Sequence, residues 1–477
     1  MRRGGVPTNI REPAAAGKFY PGEPGRLSAE IDHLLARAPV PGAEGEVVAL
    51  LSPHAGYEYS GAAAASAFKA VVGASFDVVA VVGSAHYASE AGLFLPSPAA
   101  FRTPLGTVPP AEDCVRRLKD SRAASVRDEA HAEEHSLEVQ LPFLQKALGR
   151  FELLPLVASA RTLEDAERHG EALAGALEGK RALLVASSDL SHYPTLATAR
   201  KVDPASLEAF LSLDPGYLWS SERMIMERAE NGLRCAWCGL AAAVAVLSAA
   251  KRMGASRACA TACANSAEAS GDERRTVGYG AALLLRGEAE EGWPLGRLSE
   301  EEGRALASLA RESLERHLRG EPPRGAALHE RPRFNLPAAV FVTWEQGRER
   351  LLRGCIGTME PQGTLADAVR RFAVAAAEQD PRFPGVRADE LGSLRAEVSV
   401  LSPMRSIRPE EVRPGLGVEV SRGGRGGVFL PQVWEKLPER EEFMGTLCRQ
   451  KAGLREGAWK EPGTELRAFS VRHFREP

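Results

Sequence analysis

Between residues 45 and 285, five short aliphatic runs recur, at 46–52, 77–83, 152–157, 181–187 and 277–285. Each is apolar without alternation, the pattern of strands buried on both faces. Stretches with apolar positions at helical spacing lie between them, predicting helices at 61–71, 111–120, 135–148, 161–178 and 239–252. Strands alternating with helices predict an α/β domain around a parallel or mixed sheet.

Three of the runs end in the same way. "ALLSPHAGYEYSG" delivers His54, "VVAVVGSAHYAS" delivers His86, and "ALLVASSDLSHYP" delivers Asp189 and His192. In open α/β sheets, ligands bind in a crevice at the carboxyl ends of the strands. A single histidine past one strand is more often a satisfied core or surface residue. Three past three strands predict one shared site, and imidazole serves both as metal ligand and as general base.

The segment "DEAHAEEHSLEVQLPFLQKAL" adds His131, His135 and Glu138, with Leu137, Leu141 and Leu144 as an apolar stripe. Its H-A-E-E-H order is not the HExxH of metalloproteases, because Glu133 and Glu134 are shifted. It reads either as polar support for a metal or substrate, or as a solvated, acid-rich helix start.

The chain has seven cysteines in 477 residues, a sparse and odd set that suggests a reducing compartment. Cys235 and Cys238 form C-x-x-C, and Cys238 opens a helix, where a thiol loses its proton readily. With Cys259 and Cys263 they approach a four-cysteine zinc pattern; as buried small residues, the latter two need no metal.

After residue 286 the texture changes. Residues 287–297 are charged, with Gly and Pro, and read as a linker between a domain at 10–286 and another at 298–473. Ser299 and Glu302 form a capping-box signature. Strands at 338–344, 396–403 and 426–433, with helices near 364–377 and 440–452, predict a smaller α+β domain. Its candidate residues are Arg353 and Cys355 in "LRGCIG" and Arg382 in "DPRFP"; the arginine suits a carboxylate or phosphate.

Hydrophobic residues make up 44% and charged residues 26%, values of a soluble globular protein. A net charge of −3 gives no electrostatic case for nucleic acid or acidic membranes. The longest apolar run, 239–250, is too short to span a bilayer. The two N-terminal arginines precede no apolar stretch, so no signal peptide is expected and the location reads as cytoplasmic. "SSDLSH" lacks the glycine pattern of a nucleophile elbow, which argues against a serine hydrolase using Ser188 or Ser191.

In order, "REPAAAGKFYPG", "PHAGYEYSG", "GSAH", "RTPLGTVP", "EEHSLEVQLPFL", "SSDLSHY", the Cys-Gly opening a helix, and "VGYGAALL" resemble the Memo family over about residues 10–285. "LRGCIGTMEP", "DPRFP", "EVSVLSP", "GGRGGVFLPQV" and "FMGTLCRQKAG" resemble the AMMECR family over about 298–473. The fusion looks like proteins of the AmmeMemoRadiSam system, whose third member is a radical-SAM protein, the implied partner. The resemblance implies a fold similar to class III extradiol dioxygenases. It implies a metal on His54, His86 and Cys238, with Asp189 and His192 lining the cleft. The expected metal is iron (Fe2+), with copper as the alternative and zinc behind both. His192, oriented by Asp189, would be the catalytic acid/base; His135, Glu138 and Tyr57 are further cleft candidates. Two readings follow: a non-haem, dioxygenase-like redox enzyme acting on a small molecule or peptide, or a non-catalytic binding module derived from that fold.

Overall fold

The computed structural model describes residues 9–40, 42, 44–97, 100–228, 232–288, 292–322 and 327–476. Chain contacts divide it into two units. The first is residues 1–292 together with 327–336, and the second is 293–326 together with 337–477.

An eight-stranded mixed sheet carries the first unit. Its strands are β1 (Glu46–Ser52), β2 (Val78–Ser84), β3 (Gly92–Leu95), β4 (Ser125–Val126), β5 (Glu152–Ser159), β6 (Ala182–Ser187), β7 (Arg257–Asn265) and β8 (Gly278–Arg286). They lie in the order β7-β8-β1-β6-β2-β5-β3-β4. The centre is parallel: β1 pairs β6, β6 pairs β2, and β2 pairs β5. The β7–β8, β8–β1 and β3–β5 pairings are antiparallel. The three strands that lead to His54, His192 and His86 are therefore adjacent and parallel, and Val185 pairs with Leu50 on one side and Val81 on the other. Matched register brings their carboxyl ends to one place.

Every position of β2 and β6 is buried, as an apolar run without alternation requires. Helices α1 (Tyr57–Phe68), α2 (Leu163–Ala176), α3 (Leu196–Leu211), α4 (Pro215–Met226) and α5 (Leu240–Arg252) pack around the sheet. The Ala-rich α5 lies on α2 and crosses β2, β5 and β6, while α1 covers β7 and β8.

The helix expected over 135–148 is two pieces, His135–Glu138 and Leu141–Leu148. Pro142 sits in the first turn of the second and has no N–H to give back to Glu138, which ends the first. The solvated helix start considered for this segment is also corrected: His131, Glu134, Ser136 and Glu138 are all buried.

The second unit is α+β. A four-stranded antiparallel sheet orders Leu351–Gly357, Ala339–Gln346, Leu394–Leu401 and Val471–Arg475. Helices Glu300–Leu318 and Leu365–Glu378 pack on each other and on this sheet. Ser299 caps the first, with Glu302 closing the reciprocal bond of the capping box. A second antiparallel sheet is built from residues 405–406, 465–469, 417–422 and 425–429. In the predicted linker, Pro294–Arg297 form a single 3-10 turn with Pro294 and Leu295 buried, and 289–291 lie outside the described residues. Among the described residues, no helix is long and apolar enough to cross a membrane.

Candidate metal centre

Just past β1, the His54 backbone N–H donates to Asp189 Oδ1 (2.8 Å), so the loop after β6 holds the loop after β1. The His54 ring is fully enclosed. Its Nδ1 lies 3.2 Å from Ser187 Oγ, and Ser187 Oγ donates to Ser136 O (2.6 Å) and accepts from Gln140 Nε2 (2.8 Å). With Nδ1 so engaged, Nε2 is left facing the cleft, 3.5 Å from Cys238 Sγ.

His86 is held the same way from the other side. Glu134 takes its Nδ1 (2.8 Å) on one carboxylate oxygen and its backbone N–H (3.0 Å) on the other. His86 Nε2 then points at Cys238 Sγ, 3.1 Å away. His135 joins this pair: its ring stacks on His86 with centroids 4.7 Å apart, and meets His54 edge-on at 5.4 Å.

Cys238 is delivered by the turn before α5. Its N–H donates to Asp189 O (3.1 Å), and Gly239 N–H donates to Ser188 Oγ (2.8 Å). A Cβ on Gly239 would stand 2.5 Å from Ser84 Oγ, so the turn reaches the end of β2 only because residue 239 is glycine. Likewise, a Cβ on Gly83 would stand 2.2 Å from Ser136 Oγ, and its absence lets the Glu134–Ser136 turn lie on β2. His192 is anchored by its backbone, donating to Cys235 O (3.0 Å) and accepting from Arg234 N (2.9 Å). Its Nε2 is 3.7 Å from Asp189 Oδ2, buried and without a hydrogen-bond partner.

The electrostatics follow from these contacts. Burial would raise the Cys238 thiol, but the neighbouring imidazoles outweigh it and bring it down to about 4. Burial would lower His86 and His192; Cys238 with Glu134 in the first case, and Asp189 with Cys238 in the second, raise each to about 10. Asp189 is held below the usual carboxylate range, because His54 and His192 offset its burial. For His135, burial and its two histidine neighbours outweigh Glu134, 3.7 Å from Nδ1, and Asp189, and push it down to about 4.

His54, His86 and Cys238 offer ligand atoms within 4.8 Å of one another; His86, Glu134 and His135 form a second such group. The first fits a transition metal better, because Glu134 is already spent on His86 Nδ1, the carboxylate–histidine support typical of metal ligands. Metal bonds of about 2.1 Å to nitrogen and 2.3 Å to thiolate place those atoms about 3.1–3.6 Å apart for bond angles of about 90–110°. The two Nε2–Sγ distances, 3.1 and 3.5 Å, match that span.

The other sequence candidates go elsewhere. Both Glu138 oxygens serve the N-terminal segment, accepting from Ala14 N, Ala15 N, Tyr20 Oη and Arg11. Tyr57 Oη donates to Val139 O (2.6 Å), and its ring packs on Phe143 and Tyr20. The four-cysteine zinc alternative is corrected: Cys259 and Cys263 lie on β7, and neither shares a candidate ligand group with Cys238 among the described residues. In the second unit, Arg353 is tied to Glu390 and to the carbonyls of Pro384 and Gly385. Arg382 forks onto Asp380, whose Oδ2 also accepts from Cys355 N. Cys355 Sγ accepts from Thr343 Oγ1 (3.1 Å), and burial pushes its thiol up.

Glu134 lies in the H-A-E-E-H segment that the sequence offered as polar support, and it holds His86; Ser187 and Gln140, which orient His54, were not singled out. Only Glu134 left a signal, an acidic doublet beside His135.

Both parts of the chain match known families. Residues 11–283 match the family described as Memo-like protein, and residues 307–474 match AMMECR1. A MEMO1 family protein of Methanosarcina acetivorans is 36% identical over 284 residues, 58% of this chain and 99% of its own length. Another, from Nitrosopumilus maritimus, is 31% identical over 282 residues, 58% of this chain and all of its own. A third, from Aquifex aeolicus, is 32% identical over 58% of this chain and 99% of its own. The crystal structure of an uncharacterized protein from Pyrococcus horikoshii is 33% identical, covering 38% of this chain and 93% of its own, with a TM-score of 0.34. The chain thus belongs to the Memo-like protein family, with an AMMECR1 domain fused behind the Memo-like part.

Proposed function

We propose that the Memo-like part is a redox enzyme that holds one transition metal, iron(II) first and copper second, on His54, His86 and Cys238. The convergence of two imidazole Nε2 atoms on one thiolate carries this reading. A bound ion of that kind would supply redox chemistry at open coordination positions, as non-haem iron and copper sites do.

The chain's own residues do the rest. Ser187 and Glu134 fix the His54 and His86 rings with Nε2 inward. Cys238 meets a cation as a thiolate, with no proton to lose at neutral pH. His192, held between Asp189 and Cys238, carries a proton at neutral pH that it can give up as the acid of the site, with Asp189 stabilising the imidazolium. His86 gives up its Nε2 proton to bind an ion, and the buried carboxylates of Glu134 and Asp189 then balance the charge of the ion and of His192.

The reading includes a small-molecule or peptide substrate, a radical-SAM partner of an AmmeMemoRadiSam-type system, and a cytoplasmic setting. The partner rests on the resemblance of the two fused domains to that system, and seven free cysteines suit a reducing compartment.

Metal content by mass spectrometry decides it, on protein purified without oxygen, wild type beside a His54→Ala/His86→Ala variant. Iron or copper near one per chain, lost in the variant, is expected. Zinc retained in the variant, or no metal in either protein, overturns the reading.

A further inference from the structure

Cys238 reaches the metal centre on the turn 234–239, and both ends of that turn are held by loops of the centre. Arg234 N donates to His192 O (2.9 Å), His192 N to Cys235 O (3.0 Å), Cys238 N to Asp189 O (3.1 Å) and Gly239 N to Ser188 Oγ (2.8 Å). The middle of the turn is Ala236 and Trp237. They are 0% and 3% exposed, so their N–H groups need an acceptor inside the protein.

Glu222, near the carboxyl end of α4, supplies that acceptor. Its Oε1 accepts from Ala236 N (3.2 Å), and the carboxyl also accepts from Trp237 N. The two amides are consecutive, so one side chain fixes two successive peptide planes and with them the direction in which the chain leaves for Cys238. Burial raises Glu222 to about 7 although both amides oppose it. The fold thus keeps a carboxyl where water does not compensate it, and the two N–H groups are what it serves.

A second contact fixes the same turn. The Trp237 ring packs on Phe210 of α3, with centroids 5.8 Å apart. The backbone and the side chain of residue 237 are therefore held from two different helices, α4 and α3. In the sequence, "SSERMIM" offers Glu222 only as one more charged position of a helix.

We infer that Glu222 is a positioning residue of the metal centre: its carboxyl, on the Ala236 and Trp237 amides, sets the turn that brings the Cys238 thiolate to His54 and His86. The inference rests on the reading of those three residues as metal ligands. The same turn carries Cys235 O, which anchors the His192 backbone. Glu222 therefore supports both the thiolate and the acid of the site from outside the cleft.

Cobalt(II) titrated into the metal-free full-length protein tests this, since imidazole and thiolate donors take divalent first-row metals. A cobalt–thiolate bond absorbs in the near ultraviolet, so that band reads the Cys238 contact directly. Glu222→Ala should shift or weaken the band and lower cobalt affinity at least about tenfold, the low end for loss of a residue that orients a ligand. Glu222→Gln keeps an oxygen acceptor at the same reach and should restore the band and most of the affinity. Where Glu222→Ala does not fold, Glu222→Asp, one methylene shorter, takes its place and should show the same losses. Glu138→Ala removes a buried tether of the N-terminal segment and is the control for lost stability alone; it should leave the band in place. An unchanged band and affinity in the Ala or Asp variant overturns the inference. So does an equal change in Glu138→Ala, or a Gln variant no better than Ala. A wild-type protein without the band overturns the reading of the metal ligands, and this inference with it, so the two failures are told apart.

Discussion

The Glu134 carboxylate grips His86 twice, with one oxygen 2.8 Å from Nδ1 and the other 3.0 Å from the backbone nitrogen. One side chain thus sets both the rotamer of the ring and the path of the loop. Glu134→Gln keeps the size but loses the charge and one acceptor. Metal affinity should fall about 10–100-fold, the usual cost of removing such a support. A competition titration with a chromophoric chelator reads this, and wild-type affinity in the variant would remove Glu134 from the site.

Gly239→Ala tests the steric route by which Cys238 reaches the cleft. The new methyl would meet Ser84 Oγ at 2.5 Å and Ser187 O at 3.1 Å. Overpacking of this kind costs about 1–3 kcal/mol, and here it also displaces the thiolate. Urea unfolding should show the loss, and metal content should drop. Adding Ser84→Ala should recover part of both, since the two positions touch.

Glu138 should matter for stability and not for chemistry. It is fully buried and binds Arg11, Tyr20 Oη and two backbone N–H groups. Glu138→Ala strands all of these, and breaking a buried ion pair from one side costs about 3–5 kcal/mol. Chemical denaturation should locate that loss. A change below 1 kcal/mol would show that the N-terminal segment is not held through this residue.

Asp203 and Glu222 should contribute stability that falls as pH rises from about 4 to about 7, opposed by His131 and His135, which burial pushes down to about 4. Burial raises Asp203 and Glu222 each to about 7, so in that window the folded chain keeps protons that the unfolded chain has released. Their contribution therefore declines with pH, and these two groups contribute no slope below about 4 or above about 7. Asp203→Asn should reduce the slope by removing one of the two contributions. The difference between wild-type and variant denaturation midpoints across this range checks the sign, and an unchanged slope in the variant would contradict it.

The sequence made the centre of the fold legible and left its edges obscure. Continuous aliphatic runs announced β1, β2, β5, β6 and β8, and their shared endings announced the cleft. Strand β7 went unread because "RACATACAN" has small residues and cysteines where β-branched residues are usual. Helix α3 went unread because Pro204 lies inside it, where a proline ordinarily ends a helix. In the site, His54, His86 and Cys238 were legible as strand-end or helix-start residues. Glu134 was legible only through one of two readings of its segment, as polar support; which acid serves depends on how closely one turn can approach Gly83, and no local spacing encodes that distance. Glu138 and Tyr57 look like cleft residues in one dimension and prove to be tethers in three.

The chain leaves the first unit after residue 292, enters the second, and returns to the first for Ala327–Leu336 before leaving again. Within the first unit, Arg333 pairs with Glu208 at 2.7 Å and Glu330 with Lys201 at 2.8 Å, both anchored on α3. A polypeptide ending at 292 would lose these clasps on α3. The fusion therefore has no single seam. The Memo-like unit takes in ten residues, 327–336, from beyond its family match, and swapping either domain onto another host would have to carry that strip along.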